Sequence, residues 1–203
     1  TLFLIASIGP IRSGKMEAYS DDQIKEAYHE QLEAIINSQV DGVIFETFNE
    51  LKELLIAIEV CRYIAKDTAI IAQFMASDDV YTADGVHFDN AFAQCIQSGA
   101  DIVGFNCHSG PSGIIRLISK LEAVRKYPFS VFPNASLARY VEGDFEYANE
   151  VEHFANSAVQ LIQSGVNIVG GCCGTTPQHI AALTSKTNKP QFQILLTGQE
   201  AFK

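Results

Sequence analysis

The sequence contains no tryptophan and has few basic residues beside its acidic ones. Its 14 Lys and Arg against 24 Asp and Glu give a formal net charge of −10 over 203 residues. Because such a surface repels other polyanions, we expect neither nucleic acid nor an anionic membrane as a partner. No run of 18 apolar residues is present, so no transmembrane helix is predicted. Thr1 leads directly into a strand-like segment without a basic flank, so we expect no secretory signal and a cytoplasmic protein.

Cysteine is scarce too, and the five residues are odd in number: Cys61, Cys95, Cys107, Cys172 and Cys173. A disulfide framework is therefore not expected, in keeping with a reducing compartment. The sequence also lacks a Cys-x-x-Cys motif, which would support a thiol-redox module. Cys61 and Cys95 lie on apolar faces of predicted helices, so we assign them to the core. The adjacent pair at 172 and 173 instead indicates metal ligation.

Short apolar runs alternate with longer amphipathic stretches along the chain. The runs lie at residues 3–6, 43–45, 69–72, 102–105, 129–132 and 166–169. Brief continuous runs of this kind are typical of parallel strands buried on both faces. The stretches between them predict helices, which include one that begins at a Ser20 capping box and others at 87–98, 113–126 and 149–164. The alternation predicts an α/β fold.

Three predicted helix-to-strand junctions share one pattern, at residues 38–41, 98–101 and 164–167. Counting five and six residues on from each pattern gives three pairs: Glu46 and Thr47, Asn106 and Cys107, and Cys172 and Cys173. Equivalent strands would place these pairs in one layer at their carboxyl ends, where α/β barrels carry their chemistry. Six strand–helix units are fewer than the eight of a closed barrel, which needs about 250 residues. We therefore expect the C-terminal part of a (β/α)8 barrel, without its first two units.

The segment GGCCGTTP, residues 170–177, is the most informative motif. Adjacent side chains on a strand point to opposite faces, so both thiolates reach one ion only where the backbone has left the strand, which the glycines allow. Thr175 or Thr176, followed by Pro177, predicts a helix start. The N-terminus of that helix should help to keep the thiols ionised. The other interpretations of the pair are buried apolar packing and a vicinal disulfide.

Cys107, in GFNCHSGP at residues 104–111, supplies a third sulfur from another strand end. Three sulfurs leave a tetrahedral zinc with one open position, as in catalytic sites. An incoming thiol would lose its proton there and remain nucleophilic, as alkyl transfer to sulfur requires. His108 could be a further ligand, although a position facing solvent is favoured. His179 is expected in the first turn of a helix and not at the metal.

These two cysteine segments resemble the homocysteine S-methyltransferase family, whose members are zinc enzymes on a (β/α)8 barrel. Further similar segments occur in the same order: SIGP at 7–10, DGVIFETF at 41–48 and FPNASLARYVEG at 132–143. The resemblance covers roughly residues 2–185. In the PNASL segment it is nearest to bacterial proteins that fuse this domain to a methylenetetrahydrofolate reductase domain.

The resemblance implies a role for individual residues. Three residues match the zinc ligands of the family: Cys107, Cys172 and Cys173. Glu46 matches a glutamate that holds the homocysteine amino group, and a carboxylate binds an ammonium firmly. The alternative is that Glu46 only caps the following helix. Asn106 and Asn134 match motif positions near the metal and the donor, so we assign them to substrate binding.

The predicted function is zinc-dependent transfer of a methyl group to the thiolate of homocysteine, forming methionine. The donor would be a folate, a corrinoid or a sulfonium compound, and residues 1–203 would be one homocysteine-binding domain. A fused or partner reductase domain is a further expectation from the resemblance. The alternative function is a non-catalytic zinc-binding or thiol-redox module.

Overall fold

The computed structural model describes residues 2–11, 19–76, 79–135, 138–141, 144–147 and 151–187. The elements in these ranges are, in order, β1 (Ile5–Ile8), α1 (Asp21–Asn37), β2 (Gly42–Phe48), α2 (Leu51–Ile64), β3 (Ala69–Met75), α3 (Phe88–Gln97), β4 (Ile102–Asn106), α4 (Pro111–Ile118), α5 (Ala123–Lys126), β5 (Phe129–Phe132), β6 (Ala138–Val141), β7 (Asp144–Tyr147), α6 (Val151–Gln163), β8 (Ile168–Val169) and α7 (Pro177–Lys186). Six strands form a sheet in the order β1-β2-β3-β4-β5-β8, and β6 and β7 form an antiparallel hairpin. No helix in the described ranges is long and apolar enough to cross a bilayer.

The described residues fall into two compact units, and the division passes through β3 and β4. The first unit contains the residues up to Phe74 and those from Tyr81 to Val103. The second contains Met75–Val80, where described, and the residues from Gly104 onwards. The strand–helix alternation expected from the sequence is present in both units.

In the first unit, β1, β2 and β3 pair in parallel register. Helix α1 begins at Ser20, whose Oγ accepts a hydrogen bond from the Gln23 N–H at 3.3 Å. The Gln23 side chain in turn accepts from the Ser20 N–H at 2.9 Å, which confirms the predicted capping box. The helix then buries Ile24, Tyr28 and Leu32, at the spacing of one helical face.

Tyr28 connects this apolar face to a buried carboxylate. Its ring lies 6.4 Å from the rings of both Phe45 and Phe48, measured between centroids. Its hydroxyl donates to Glu53 Oε1 at 2.8 Å, and Glu53 is only 3% exposed. The backbone N–H of Ile11 donates to the same carboxylate at 2.6 Å. The buried carboxyl group is therefore hydrogen-bonded, as burial requires, and it holds the backbone at Ile11, three residues after β1.

In the second unit, β5 and β8 pair in parallel, and helices α6 and α7 pack on each other. The ring of Phe154 on α6 meets that of His179 on α7 edge to face, with centroids 5.3 Å apart. Glycine is required at position 104 in β4, because an added Cβ would lie 1.8 Å from the Ser130 carbonyl oxygen. Strands β4 and β5 thus approach closely at this position.

The last residue of each repeated junction makes the same two hydrogen bonds. Its side-chain oxygen accepts from a backbone N–H at the start of a neighbouring strand, and its own N–H donates to that residue's carbonyl. The partners and the two distances are Asp41 with Leu4 (2.6 and 2.8 Å), Asp101 with Ile70 (2.8 and 2.9 Å) and Asn167 with Phe129 (2.8 and 2.9 Å). The last residue of each repeated junction therefore holds the start of a neighbouring strand in place through two hydrogen bonds.

Replacing Asn167 with alanine tests whether these hydrogen bonds stabilise the fold. Phe129 is fully buried, so loss of the hydrogen bond from its N–H to Asn167 should lower the free energy of unfolding by about 1–2 kcal/mol. Asn167→Asp is the matched control, since Asp41 and Asp101 make the same bond with a carboxylate. Urea denaturation measures both variants. Equal stabilities for the two would contradict the assignment.

The first and last strands have other bounds than the apolar runs at 3–6 and 166–169, since β1 is Ile5–Ile8 and β8 is Ile168–Val169. Two further features differ from the sequence-based expectation. The helix predicted over 113–126 is divided into α4 and α5, because Lys120 and Leu121 donate to the carbonyls of Leu117 and Ile118, three residues back, both at 3.1 Å. These tighter bonds end the α-helical pattern at Ser119. The hairpin formed by β6 and β7 was not predicted at all.

Candidate metal centre

The first cysteine of the candidate site follows β4 in an unusual backbone conformation. Cys107 has a φ of 55° and His108 a φ of 58°, both in the left-handed region that residues other than glycine seldom adopt. The Cys107 N–H donates to the Phe132 carbonyl at 3.0 Å, and its carbonyl accepts from Ser109 at 2.6 Å. Strain of this kind is concentrated at functional sites, and here it turns the chain immediately after Asn106.

The second segment leaves its strand before the cysteines, as the sequence predicts. Strand β8 ends at Val169, and α7 begins with Thr176 as N-cap and Pro177 in the first turn. The glycines between are needed for close packing. A Cβ at Gly170 would lie 2.9 Å from the Phe132 ring, and one at Gly171 would lie 2.2 Å from Thr175 Oγ1.

Residues 132–135 hydrogen-bond to both cysteine segments. The four bonds are Cys107 N–H to Phe132 O (3.0 Å), Cys172 N–H to Pro133 O (2.9 Å), Cys173 N–H to Asn134 Oδ1 (3.2 Å) and Ala135 N–H to Cys173 O (2.9 Å). Because these four residues are consecutive, they set the spacing between the two segments. The last residue of β5 and the three that follow it therefore hold the two cysteine segments in place.

The structure brings together the three cysteines that the sequence singled out. The sulfurs of Cys107, Cys172 and Cys173 all lie within 4.8 Å of one another, and those of Cys107 and Cys173 are 3.5 Å apart. Ligands of a tetrahedral zinc with Zn–S bonds of about 2.3 Å would be about 3.8 Å apart. Cys173 is exposed and the other two are half-buried, so the cluster opens to solvent on the Cys173 side.

The pKa values of the two adjacent thiols, Cys172 and Cys173, are raised. Burial, a hydrogen bond with Cys107 and the charges of Cys107 and Cys173 together raise the pKa of Cys172 to about 12. The hydrogen bond with Cys107 is the main cause that raises the pKa of Cys173. The N-terminus of α7 was expected to favour ionised thiols, but burial at Cys172 and the hydrogen bond with Cys107 at Cys173 shift the pKa in the opposite direction. Thiolates at these positions need a cation, so the donor set fits a soft divalent metal.

The two asparagines assigned to substrate binding lie beside the cysteines. Asn106 is fully buried at the end of β4, and its Nδ2 donates to the sulfur of Cys172 at 4.0 Å. Asn134 is 4% exposed and accepts from the Cys173 N–H. Both side chains therefore contact the cysteine segments, Asn106 at a sulfur and Asn134 at the backbone. The hydrogen bond that Asn134 accepts from the Cys173 N–H could not be inferred from the motif alone.

Glu46 belongs to the first unit, near the end of β2. The register of β2 with β3 shifts between Phe45 and Phe48, and Thr47 has a φ of 66°, the same left-handed conformation as Cys107. Thr47 and Cys107, which stand at equivalent positions after the repeated junction pattern, therefore share one backbone conformation. Ser7 Oγ donates to Glu46 Oε1, a contact that sequence analysis missed.

The alternative role of Glu46, capping the helix after β2, is filled by another residue. The first backbone N–H groups of α2, those of Leu51 and Lys52, donate to the carboxylate of Asp84 at 3.0 and 3.2 Å. Asp84 thus accepts hydrogen bonds from N–H groups of the first turn of α2, which is what an N-cap side chain does. This favours a functional role for the Glu46 carboxylate.

The other histidines and cysteines considered in the sequence analysis are not part of the cluster. His179 is 1% exposed in the first turn of α7, as predicted, and its Nδ1 accepts from the Thr176 N–H at 3.1 Å. Cys61 and Cys95 are fully buried, and burial raises the pKa of both thiols, which confirms their assignment to the core. His108 is exposed, as favoured from the sequence, and it is not among the three grouped ligands.

The fold and the site together define an α/β protein of the barrel class with a three-cysteine cluster in the loops that follow parallel strands. Comparison with known proteins places it more narrowly. The homocysteine S-methyltransferase family matches residues 1–187, and the chain belongs to that family. The resemblance noted in the motifs is thereby confirmed.

Individual relatives are similar over most of this chain. Methionine synthase from Mycobacterium leprae is 27% identical over 195 residues, which are 92% of this chain and 16% of that protein. Betaine–homocysteine S-methyltransferase 1 from Rattus norvegicus is 27% identical over 187 residues, 82% of this chain and 44% of that protein. The chain thus spans less than half of either relative.

A solved structure shares the fold. The metallated form of the homocysteine methyltransferase MmuM from Escherichia coli matches with a TM-score of 0.75 and 21% identity, over 93% of this chain and 62% of that one. This likeness confirms the predicted fold class, strand–helix units of the (β/α)8 type.

Proposed function

We propose that the chain is the homocysteine-binding domain of a zinc-dependent S-methyltransferase that forms methionine. The observation that carries this proposal is the convergence of the three sulfurs of Cys107, Cys172 and Cys173 within 4.8 Å. Membership of the homocysteine S-methyltransferase family supports the reaction class. We assign all of residues 1–203 to this one domain.

Zinc is the proposed metal because three thiolates form a soft donor set and hydrolytic sites use harder ligands. A zinc ion held there would bind the homocysteine sulfur at its fourth position and keep that sulfur ionised and nucleophilic. The exposure of Cys173 gives an incoming thiol access on that side of the cluster. The two half-buried cysteines hold the other side.

The chain's own residues orient the amino acid. We propose that the carboxylate of Glu46 binds the ammonium of homocysteine, since charge-assisted hydrogen bonds are short and strong. Asn106 and Asn134 are proposed to line the sulfur end of the substrate, because both contact the cysteine segments. Contacts that fix the orientation of a bound substrate lower the barrier to transfer.

In the proposed reaction the methyl group moves from the donor to the homocysteine sulfur. A sulfur–carbon bond forms, the bond between the methyl group and the donor breaks, and the donor keeps that electron pair. The thiol proton passes to solvent before the transfer. The donor would be a methylated folate, a methyl corrinoid or a sulfonium compound, and a fused or separate reductase would supply the folate.

The test combines metal analysis with product detection. We expect one zinc per chain and methionine formed from homocysteine with one of three donors: methyltetrahydrofolate, methylcobalamin or S-methylmethionine. A chelator should abolish product formation, and added zinc should restore it. Mass spectrometry measures the methionine.

Two other outcomes would replace this proposal. Stoichiometric zinc without methionine formation from any of the three donors would indicate a non-catalytic zinc-binding module. A chain without zinc that carries a disulfide within the cluster would indicate a thiol-redox module. The sulfurs of Cys107 and Cys173, 3.5 Å apart, are the pair to examine by peptide mapping.

A further inference from the structure

The side chain of Glu46 is held from the neighbouring strand. Ser7 lies in β1, which pairs in parallel with β2. In this register Ser7 is opposite Ile44, and Ile8 is opposite Phe45. From this position Ser7 Oγ donates a hydrogen bond to Glu46 Oε1. Strand β1 thus supplies a polar contact to the carboxylate that is proposed to bind the substrate ammonium.

The backbone of β2 supports the same orientation. Its pairing with β3 is in regular register up to Phe45 and shifts before Phe48, so Glu46 and Thr47 lie in an irregularity of the strand. Irregularities of this kind redirect side chains. Thr47 has a φ of 66°, which is rare for a β-branched residue and persists only where the surroundings enforce it. Two independent features, a strained backbone and a serine hydroxyl, therefore act on Glu46.

We infer that Ser7 is a positioning residue that sets the orientation of the Glu46 carboxylate and thereby selects thiols that carry an amino group. This inference rests on the proposed function. A free glutamate side chain has many rotamers, and ordering it on binding lowers affinity. The hydrogen bond from Ser7 orders the carboxylate before the substrate arrives. The benefit is confined to ligands whose ammonium meets that carboxylate.

Ser7 itself is exposed, so its hydroxyl contributes little to the core and its removal should leave the fold intact. The measurement is calorimetric binding to the zinc-loaded chain, which needs no methyl donor. The two probes are L-homocysteine and 4-mercaptobutyrate, the same thiol without the amino group. For Ser7→Ala we expect the Kd of homocysteine to rise about tenfold and that of 4-mercaptobutyrate to change less than twofold.

Two further variants separate positioning from a general structural effect. Ser7→Thr keeps a hydroxyl and should bind homocysteine as the wild type does. In a Glu46→Gln background, Ser7→Ala should have a much smaller effect, because the group that it positions is no longer a carboxylate. Zinc content should be equal in all of these variants.

The inference would be overturned if Ser7→Ala left the homocysteine affinity unchanged, or weakened both thiols equally. Failure of the proposed function gives different results. If the wild type binds homocysteine but forms no methionine, the methyl transfer is wrong and the role of Ser7 stands. If the wild type binds 4-mercaptobutyrate as tightly as homocysteine, amino-group selection by Glu46 and Ser7 is excluded together.

Discussion

Replacing Cys172 with alanine is expected to abolish tight zinc binding and, with it, methyl transfer. The variant leaves only two sulfurs, those of Cys107 and Cys173, and a tetrahedral site with two protein ligands holds zinc poorly. Loss of a residue that merely orients a ligand costs 10- to 100-fold in metal affinity. Loss of the ligand itself should cost at least about 100-fold. Competition with a chelator of known affinity measures the change.

Cys95→Ala is the matched control for that variant. Cys95 is a fully buried cysteine on α3, and the cluster does not include it. This variant should lose some stability, because it leaves a small cavity, but it should retain one zinc per chain. Circular dichroism establishes that both variants are folded. Tight zinc binding by folded Cys172→Ala would remove the basis of the proposed site.

The fold was predictable where the sequence carries a strong local signal. The run at 129–132 is β5 without any change of bounds, and Ser20 caps α1 as expected. Both follow from local chemistry, since a buried strand needs apolar residues and a helix start needs an acceptor for its free N–H groups. The junction repeat was also visible in the sequence. Its cause, the hydrogen bond that the side chain of each last residue accepts from a strand start, was visible only in the structure.

The unpredicted elements lack such signals. Leu117, Leu121 and Val124 keep helical spacing, and no glycine or proline marks the break between α4 and α5. The strands β6 (ARYV) and β7 (DFEY) mix charged and apolar residues, and neither contains a continuous apolar run like the one that predicts β5. Local pattern therefore predicts buried strands better than hairpins of mixed composition.

The candidate site was likewise predictable only in part. The residue types and the repeat were enough to select the three cysteines and Glu46 as candidates. The details of the candidate residues come from the folded structure: the left-handed backbone of Cys107, the hydrogen bond that the Cys173 N–H donates to Asn134 and the contact between Ser7 and Glu46. Long-range hydrogen bonds of this kind leave no periodic trace in a sequence.

The glycine before the cysteine pair should be as sensitive as the cysteines themselves. In Gly171→Ala the new Cβ would lie 2.2 Å from Thr175 Oγ1 and 2.8 Å from Thr175 Cβ, so the backbone of the loop must move. Because Thr175 also donates its N–H to the Cys172 carbonyl at 3.1 Å, that movement reaches the ligand. We expect zinc affinity to fall about 10- to 100-fold and stability by about 1–3 kcal/mol.

Two variants make this prediction specific. Gly110→Ala adds the same methyl group in the second unit, but its Cβ would lie 3.8 Å from the nearest backbone oxygen, so zinc affinity should stay within about twofold of the wild type. The double variant Gly171→Ala with Thr175→Gly removes the clashing side chain and should recover part of the zinc affinity. If Gly171→Ala binds zinc as tightly as Gly110→Ala, the packing of the loop does not set the position of the sulfurs. In that case the four hydrogen bonds between the cysteines and residues 132–135 are sufficient to hold the site.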